Sequence, residues 1–309
     1  MISVVIPLYN KASTIRRCLK SVFSQSELPS ELIIINDGSV DNSLAIVRET
    51  VDLSSGMSIN IVDQENSGVS YTRNKGVALA KNDYVAFLDA DDEWHEEFIA
   101  NAKNLIHSYQ NISLITCKHS INDISLGCYI PKQIFGTDET GIIDNYLSRA
   151  KSYPIVNSSK VVVNKKYFLD VGGFPEEAKV SEDLFLWIKL SECAPIAYTD
   201  KLLVTVHQAP DNSRSARVGE VPYPIVYFSS KNVNVTTNSD LYMLLWSIHF
   251  KHILGSCTIN KREAFNRVVF GLRLFKYKGA LLFPLLLIPK FVFNHIRIRR
   301  RSKMVQNNV

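Results

Sequence analysis

The chain has 309 residues, 46% hydrophobic and 21% charged, proportions that exclude a disordered or collagen-like polypeptide and leave room for one large domain with an appendage. Its five cysteines (Cys18, Cys117, Cys128, Cys193, Cys257) are odd in number and never in C-x-x-C spacing, so neither a zinc site nor a disulfide framework is indicated. The net charge of +5 hides an asymmetry: residues 261–309 hold twelve Lys/Arg and one acid, and taking that +11 from the total leaves −6 on residues 1–260.

MISVVIPLYN lacks a basic leader region and reaches polar residues within ten positions, which predicts a buried strand and a cytoplasmic protein. Ala12 to Gln25 places Ile15, Leu19, Val22 and Phe23 at helical spacing. ELIIINDGS repeats the apolar run before a turn, Asp41 to Val51 follows as a helix, SINIVDQ is a third strand, Val69 to Ala80 a further helix and DYVAFL a fourth strand. Apolar runs alternating with helices predict an α/β fold, a mostly parallel sheet with helices on both faces. Sites in such folds lie beyond the carboxyl ends of the strands, where Tyr9-Asn10, Asp37-Gly38-Ser39 and Asp89-Ala90-Asp91-Asp92 all fall.

Residues 118–150 have weak periodicity and read as a variable excursion. VVVNKKYFLDVGGF, EDLFLWIKL and IAYTDKLLVTVH then predict strand, helix, glycine turn, helix and strand. Residues 240–255 and 261–278 read as helices, the second with Phe265, Val268, Val269, Leu272 and Phe275 as an apolar stripe and Arg262, Arg267, Arg273 and Lys276 around it. His249 and His252, three apart without nearby acids, read as ordinary surface or core residues.

FLDADDEW (87–94) gathers Asp89, Asp91 and Asp92, with Glu93 following, at the mouth of a buried strand. Carboxylates this close repel one another, and a cation relieves the repulsion. Acids without a His/Cys ligand set favour a hard ion, Mg²⁺ or Mn²⁺, which commonly holds substrate phosphates. The plain alternative is that Asp91 or Asp92 caps a helix starting near His95.

The series VVIPLYN, ELIIINDGSVDNS, ENSGVSYTRNKG, FLDADDEW, GGF and SED, over roughly residues 1–210, resembles glycosyltransferase family 2, inverting nucleotide-sugar transferases of the Rossmann-like GT-A fold. The resemblance implies a GT-A domain over 1–210, with a nucleotide-sugar half (1–117) and an acceptor and catalytic half (118–210), followed by a helical C-terminal extension over 211–309. It implies that Asp37 receives the base's imide N–H while Pro7, Tyr9 and Asn10 flank the base. Asn66, Gly68, Arg73 and Asn74 would follow around uridine and phosphate, Gly68 by close backbone approach and Arg73 by charge and fork geometry. As plain alternatives, Asp37 is a turn former ahead of Gly38, and Arg73 and Asn74 belong to a solvated helix face. Asp89 and Asp91 would match the family's D-x-D metal motif, Asp91 by direct coordination and Asp89 at the ribose or through a bridging water; Ala90 would line the nucleotide, Asp92 would back them or cap a helix, and His207 would meet diphosphate or metal.

In VSEDLFLWIKL, Glu182 and Asp183 open a helix whose Leu184, Trp187, Ile188 and Leu190 face the core. By resemblance this pair faces the sugar's anomeric carbon, Asp183 as general base on the acceptor hydroxyl and Glu182 orienting the acceptor or substituting. One base opposite the leaving diphosphate implies inversion. The donor is expected to be a UDP-sugar, on family frequency alone.

GALLFPLLLIPKFVFNHIRIRRRSK runs apolar from Ala280 to Phe293, broken by Pro284, Pro289 and Lys290, and ends in a basic block. It is too short for a spanning helix, which needs about 20 apolar residues. A membrane-surface element fits, with Arg297, Arg299, Arg300, Arg301 and Lys303 meeting anionic lipid on the inner face of the cytoplasmic membrane; the alternative is a helix covering the core with a solvated basic end. The basic tail lacks the interleaved polar and aromatic contacts of a nucleic-acid binder. The expected acceptor is therefore a polyprenyl-diphosphate-linked saccharide of a bacterial surface polysaccharide, O-antigen or capsule, and the oligomeric state is left open. Rival readings are a phosphohydrolase with D-x-D as nucleophile, disfavoured because the motif follows the fourth strand, and a non-catalytic nucleotide or carbohydrate-binding module.

Overall fold

The computed structural model describes residues 1–51, 56–124, 127–133, 135–151, 155–208, 220–230, 238–257, 260–289 and 292. The chain divides into two compact units: Met1–Tyr146, Pro154–Glu176 and Leu186–Gln208 form the first, and Leu147–Tyr153, Glu177–Phe185 and Ala209–Val309 the second.

In the first unit, β1 (Ile2–Leu8), β2 (Glu31–Asp37), β3 (Ser58–Gln64) and β4 (Tyr84–Phe87) alternate with α1 (Ile15–Phe23), α2 (Ser43–Val51) and α3 (Val69–Leu79). β2 is buried along its whole length, as an uninterrupted aliphatic run covered on both faces must be. α1 is amphipathic, burying Ile15, Cys18, Leu19 and Val22 against the sheet. Beyond β4 come β5 (Glu93–Trp94), α4 (Phe98–Ser108), β6 (Leu114–Asp123), β7 (Gly127–Tyr129), β8 (Thr140–Ile142), β9 (Val161–Asn164), α6 (Lys165–Asp170) and β10 (Ile196–Gln208). The helices α5 (Tyr146–Ala150) and α7 (Glu182–Cys193) each contribute residues to both units.

The sheet order is β3-β2-β1-β4-β9-β6-β10-β5, with β7 on β6 and β8 on β10. β1, β2, β3, β4, β6 and β10 run one way. The reversed strands β5, β7, β8 and β9 have four residues or fewer, so the sheet is mostly parallel. The glycine turn after α6 is present, with Gly172 and Gly173 at φ +88° and +71°.

Two elements differ from the sequence reading. Residues 118–123 of β6 lie where weak periodicity predicted an excursion, because the polar His119 and Ser120 are buried along with the aliphatics. No helix starts at His95: Glu93 and Trp94 pair antiparallel with Thr205 and Val204, and α4 begins at Phe98. Asp91 and Asp92 therefore do not cap it.

Lys160 is fully buried; its Nζ donates to Gln133 Oε1 at 2.8 Å and lies 5.3 Å from the Phe135 ring centre. Burial pushes this ammonium down to about 7. The folded state thus holds fewer protons than the unfolded chain between about pH 7 and the ordinary lysine value, so stability rises with pH across that window. Lys160→Met is expected to raise Tm by a few degrees at pH 6, with the gain shrinking toward pH 10. A gain that grows with pH in thermal melts would contradict the assignment.

In the second unit, the helices Ser239–Cys257 and Lys261–Phe275 and the 3-10 helix Lys276–Leu287 enclose Ile253, Cys257, Ala264, Val268 and Leu282, with Phe283, Leu285, Leu286 and Ile288 packed alongside. The apolar start of the tail thus covers these helices in part, whereas Leu281 and Leu287 are exposed. The stripe of the preceding helix divides: Val268 and Phe275 are buried, Phe265 and Val269 exposed. His249 is a core residue whose ring lies 5.4 Å from that of Phe275. The basic residues Arg297, Arg299, Arg300, Arg301 and Lys303 lie outside the described residues. Among the described residues no helix is long and apolar enough to cross a membrane.

Candidate active site

β2 ends at Asp37, whose buried carboxylate gathers the loop ahead of α3: Oδ1 accepts from Gln64 Nε2 (2.8 Å) and Ser67 N (2.8 Å), Oδ2 from Gly68 N (3.0 Å). A carboxylate has about four lone-pair sites, so Asp37 builds this loop and retains acceptor capacity on Oδ2. Asn66 closes the same turn by donating from Nδ2 to the Asp37 carbonyl at 2.9 Å. Gly38 has φ +69°, and a Cβ there would stand 2.8 Å from Asn66 N. Gly68 has φ +87°, but a Cβ would meet no atom within 4 Å, so backbone conformation is the requirement visible at that position.

At the end of β1, Tyr9 is exposed, and Asn10 takes a left-handed φ of +51° that lets its Oδ1 accept from Val40 N at 2.9 Å. Pro7 pairs in register with Ile35 of β2, and Tyr9 and Asn10 follow at the strand's carboxyl end.

The acids of FLDADDEW separate by environment. Asp89, one third exposed, is paired with Arg73 at 2.6 Å; the Arg73 side chain is 6% exposed and sits 5.2 Å over the Phe174 ring. Asp91, also one third exposed, accepts from Lys11 Nζ at 2.7 Å, while its carbonyl accepts from Arg17 at 2.6 Å. The Ala90 carbonyl takes a bond from Thr14 Oγ1 at 2.9 Å. Asp92 is buried: it accepts a short hydrogen bond from Ser159 and another from His207 N at 2.9 Å. Burial, with the Asp89 charge adding to it, pushes Asp92 up to about 8. His207 places Nε2 2.8 Å from Glu93 Oε1 and Nδ1 3.4 Å from Asn122.

The cation demanded by the acidic strand end is therefore supplied in part by the chain itself, through Lys11, Arg73 and Arg17. Sequence reasoning missed Lys11, Arg17 and Ser159. The signal for Lys11 was its place one residue past Tyr9-Asn10, at the same sheet edge as the acids; nothing local marks Ser159, which reaches Asp92 across 67 residues. Asn74 turns toward the GGF loop, donating to the Phe174 carbonyl (2.8 Å) and Glu176 (3.0 Å) and accepting from Phe174 N (2.9 Å). It secures that loop here.

Among the described residues no group of three His, Cys, Asp or Glu is placed to hold an ion alone. A hard cation bound through one or two carboxylates, substrate oxygens and water requires no such group. Asp91 and Asp89 fit that mode, being oxygen donors with solvent access, and Asp91 already holds a cation, the Lys11 ammonium.

The second acidic pair belongs to the second unit. Ser181, at a left-handed φ of +62°, leads into Glu182 and Asp183 in the first turn of α7. Asp183 Oδ1 accepts from Leu184 N at 2.6 Å, and both acids are half-buried, as is Leu184, while Phe185 is buried. Phe185 packs on the rings of Tyr223 (5.0 Å) and Tyr227 (4.7 Å). Farther along α7, Trp187, Ile188 and Leu190 are buried in the first unit.

Residues 3–153 match the model of "Glycosyl transferase family 2". An uncharacterized glycosyltransferase of Rickettsia felis is 27% identical over 208 residues, which span 66% of this chain but 33% of that protein. S. aureus TarS residues 1–349, solved with UDP-GlcNAc, shares 20% identity and a TM-score of 0.61 over 92% of this chain and 75% of that one. The mannosyltransferase PcManGT of Pyrobaculum calidifontis, solved with GDP-Man and Mn²⁺, shares 16% identity and a TM-score of 0.61 over 99% and 85%. The motif series, the sheet and these likenesses agree: residues 3–153 match glycosyltransferase family 2, and the fold is GT-A.

Proposed function

We propose that this chain transfers a sugar, with inversion, from a nucleoside-diphosphate donor, UDP-sugar in the first instance, to a saccharide acceptor, with Mn²⁺ or Mg²⁺ as cofactor. The observation that carries this reading is the pairing of Asp89 and Asp91 with cations of the chain, at a sheet edge that also carries the loop built on Asp37. Such an edge offers hydrogen-bond capacity for a base at Asp37 and opposite charges for a diphosphate. The divalent ion, when bound through Asp91 with Asp89 or His207 beside it, neutralises charge on the departing nucleoside diphosphate.

Pro7, Tyr9 and Asn10 flank the base; Asn66 and Gly68 shape the loop next to it; Ala90 and Asp89 line the nucleotide. Arg73 holds Asp89 and supplies positive charge near phosphate, and Asn74 secures the GGF loop. Asp183 takes the proton from the acceptor hydroxyl, with Glu182 orienting the acceptor. The test is a Mn²⁺-supplemented screen of nucleotide sugars for donor hydrolysis, which requires no acceptor. Release of nucleoside diphosphate from one donor supports the reading; phosphate release independent of any nucleotide favours a phosphohydrolase.

The acceptor is proposed to be a polyprenyl-diphosphate-linked saccharide of O-antigen or capsule synthesis, met by an enzyme held peripherally on the inner face of the cytoplasmic membrane. Support comes from the basic tail, where each Lys or Arg near an anionic surface contributes about 1 kcal/mol. The full chain is expected to float with anionic vesicles, and a chain lacking residues 280–309 to stay in the soluble fraction. Equal recovery in that fraction would end the membrane proposal.

A further inference from the structure

Four basic side chains surround the acids of the strand end, and their environments differ. Arg73 is nearly buried, covered by Phe174, and bound to Asp89 at 2.6 Å; it is built into the unit. Arg17 bonds the Asp91 carbonyl and stands 3.8 Å from Glu93, so it supports backbone. His207 is held on Glu93. Lys11 places its charge on the Asp91 carboxylate, at 2.7 Å, and a third of that side chain is exposed. The Lys11 backbone N–H is bonded to Ser43 Oγ at 2.7 Å, so the ammonium can swing on its four-carbon stem without moving the main chain.

A divalent ion and an ammonium cannot share one carboxylate at contact distance without strong mutual repulsion. We propose that Lys11 is the resident counter-ion of Asp91, which a divalent cation must displace, and that the anionic diphosphate makes the displacement favourable by giving the released ammonium a new partner. Lys11 is then a positioning residue that couples metal binding to nucleotide binding: it lowers affinity for metal alone and raises the factor by which nucleotide tightens it. The inference rests on the metal and diphosphate reading given above.

The test titrates Mn²⁺ into the full chain and follows free Mn²⁺ by electron paramagnetic resonance, without nucleotide and then with UDP. Without nucleotide, Lys11→Met is expected to bind Mn²⁺ roughly threefold to tenfold more tightly than wild type, the scale of a partly exposed ion pair plus one removed positive charge. Lys11→Arg, which keeps the charge, is expected to match wild type. UDP is expected to tighten Mn²⁺ binding by a larger factor in wild type than in Lys11→Met. A merely structural lysine offers no route to tighter metal binding on its removal. Lys11→Met binding Mn²⁺ no more tightly than wild type, including no measurable binding to either, overturns the proposal. Failure of the donor reading has a different signature: UDP leaves Mn²⁺ affinity unchanged in all three proteins while the gain of Lys11→Met with metal alone persists.

Discussion

Asp91→Ala is expected to fold and to lose transfer activity by a factor on the order of a thousand. The size follows from what the carboxylate does in the proposed reaction. A metal acting on developing charge contributes several kcal/mol, and each 1.36 kcal/mol is about tenfold in rate. Stability is expected to change little, because the pair with Lys11 is one third exposed on both sides and such pairs contribute at most about 1 kcal/mol. The local backbone also keeps its supports, since Arg17 binds the Asp91 carbonyl and Thr14 the Ala90 carbonyl, neither through the Asp91 side chain. The variant should therefore melt near wild type while its UDP affinity becomes the same with Mn²⁺ as with EDTA. A variant that retains Mn²⁺-dependent UDP binding would remove Asp91 from the metal site.

Asp183→Asn is expected to keep UDP binding and to lose transfer by about 10² to 10⁴, the range assigned to a positioned general base. Asparagine can still accept the bond from Leu184 N, so the first turn of α7 is retained and the loss reports proton removal. Glu182→Gln is expected to cost less, because Glu182 is assigned to orientation. Steady-state transfer measured beside UDP titrations separates the two roles. Wild-type transfer by Asp183→Asn, with a large loss in Glu182→Gln, would exchange the assignments.

The nucleotide half was the legible part of the chain. VVIPL, LIII and YVAF are uninterrupted aliphatic or aromatic runs because those strands are covered on both faces, and the alternating helices dictate parallel order through crossovers. The strand-end residues could be placed at one sheet edge for the same reason. β6 was less legible: its buried His119 is matched by Gln133, fourteen residues on, and a local window reads that pair as two unrelated polar residues. The reversal of β9 depends on pairing with β4 and β6, which no local pattern encodes.

At the site, residue types could be read but partners could not. Three neighbouring acids look alike in sequence, yet Asp89 is paired with a covered arginine and Asp91 with an accessible lysine, while Asp92 is buried and its carboxyl pushed up. Those differences arise from residues 16 to 115 positions away. Asn74 shows the same limit, since its bonds to Phe174 and Glu176 span 100 and 102 residues.

Asp89 and Asp91 are proposed to form half of a site that a divalent ion and a nucleoside diphosphate complete together. Calorimetric titration of UDP into the wild-type chain, once with Mn²⁺ and once with EDTA, tests it most directly. Binding at least about tenfold tighter with Mn²⁺, equivalent to roughly 1.4 kcal/mol, is the predicted result; the same Kd under both conditions would contradict it.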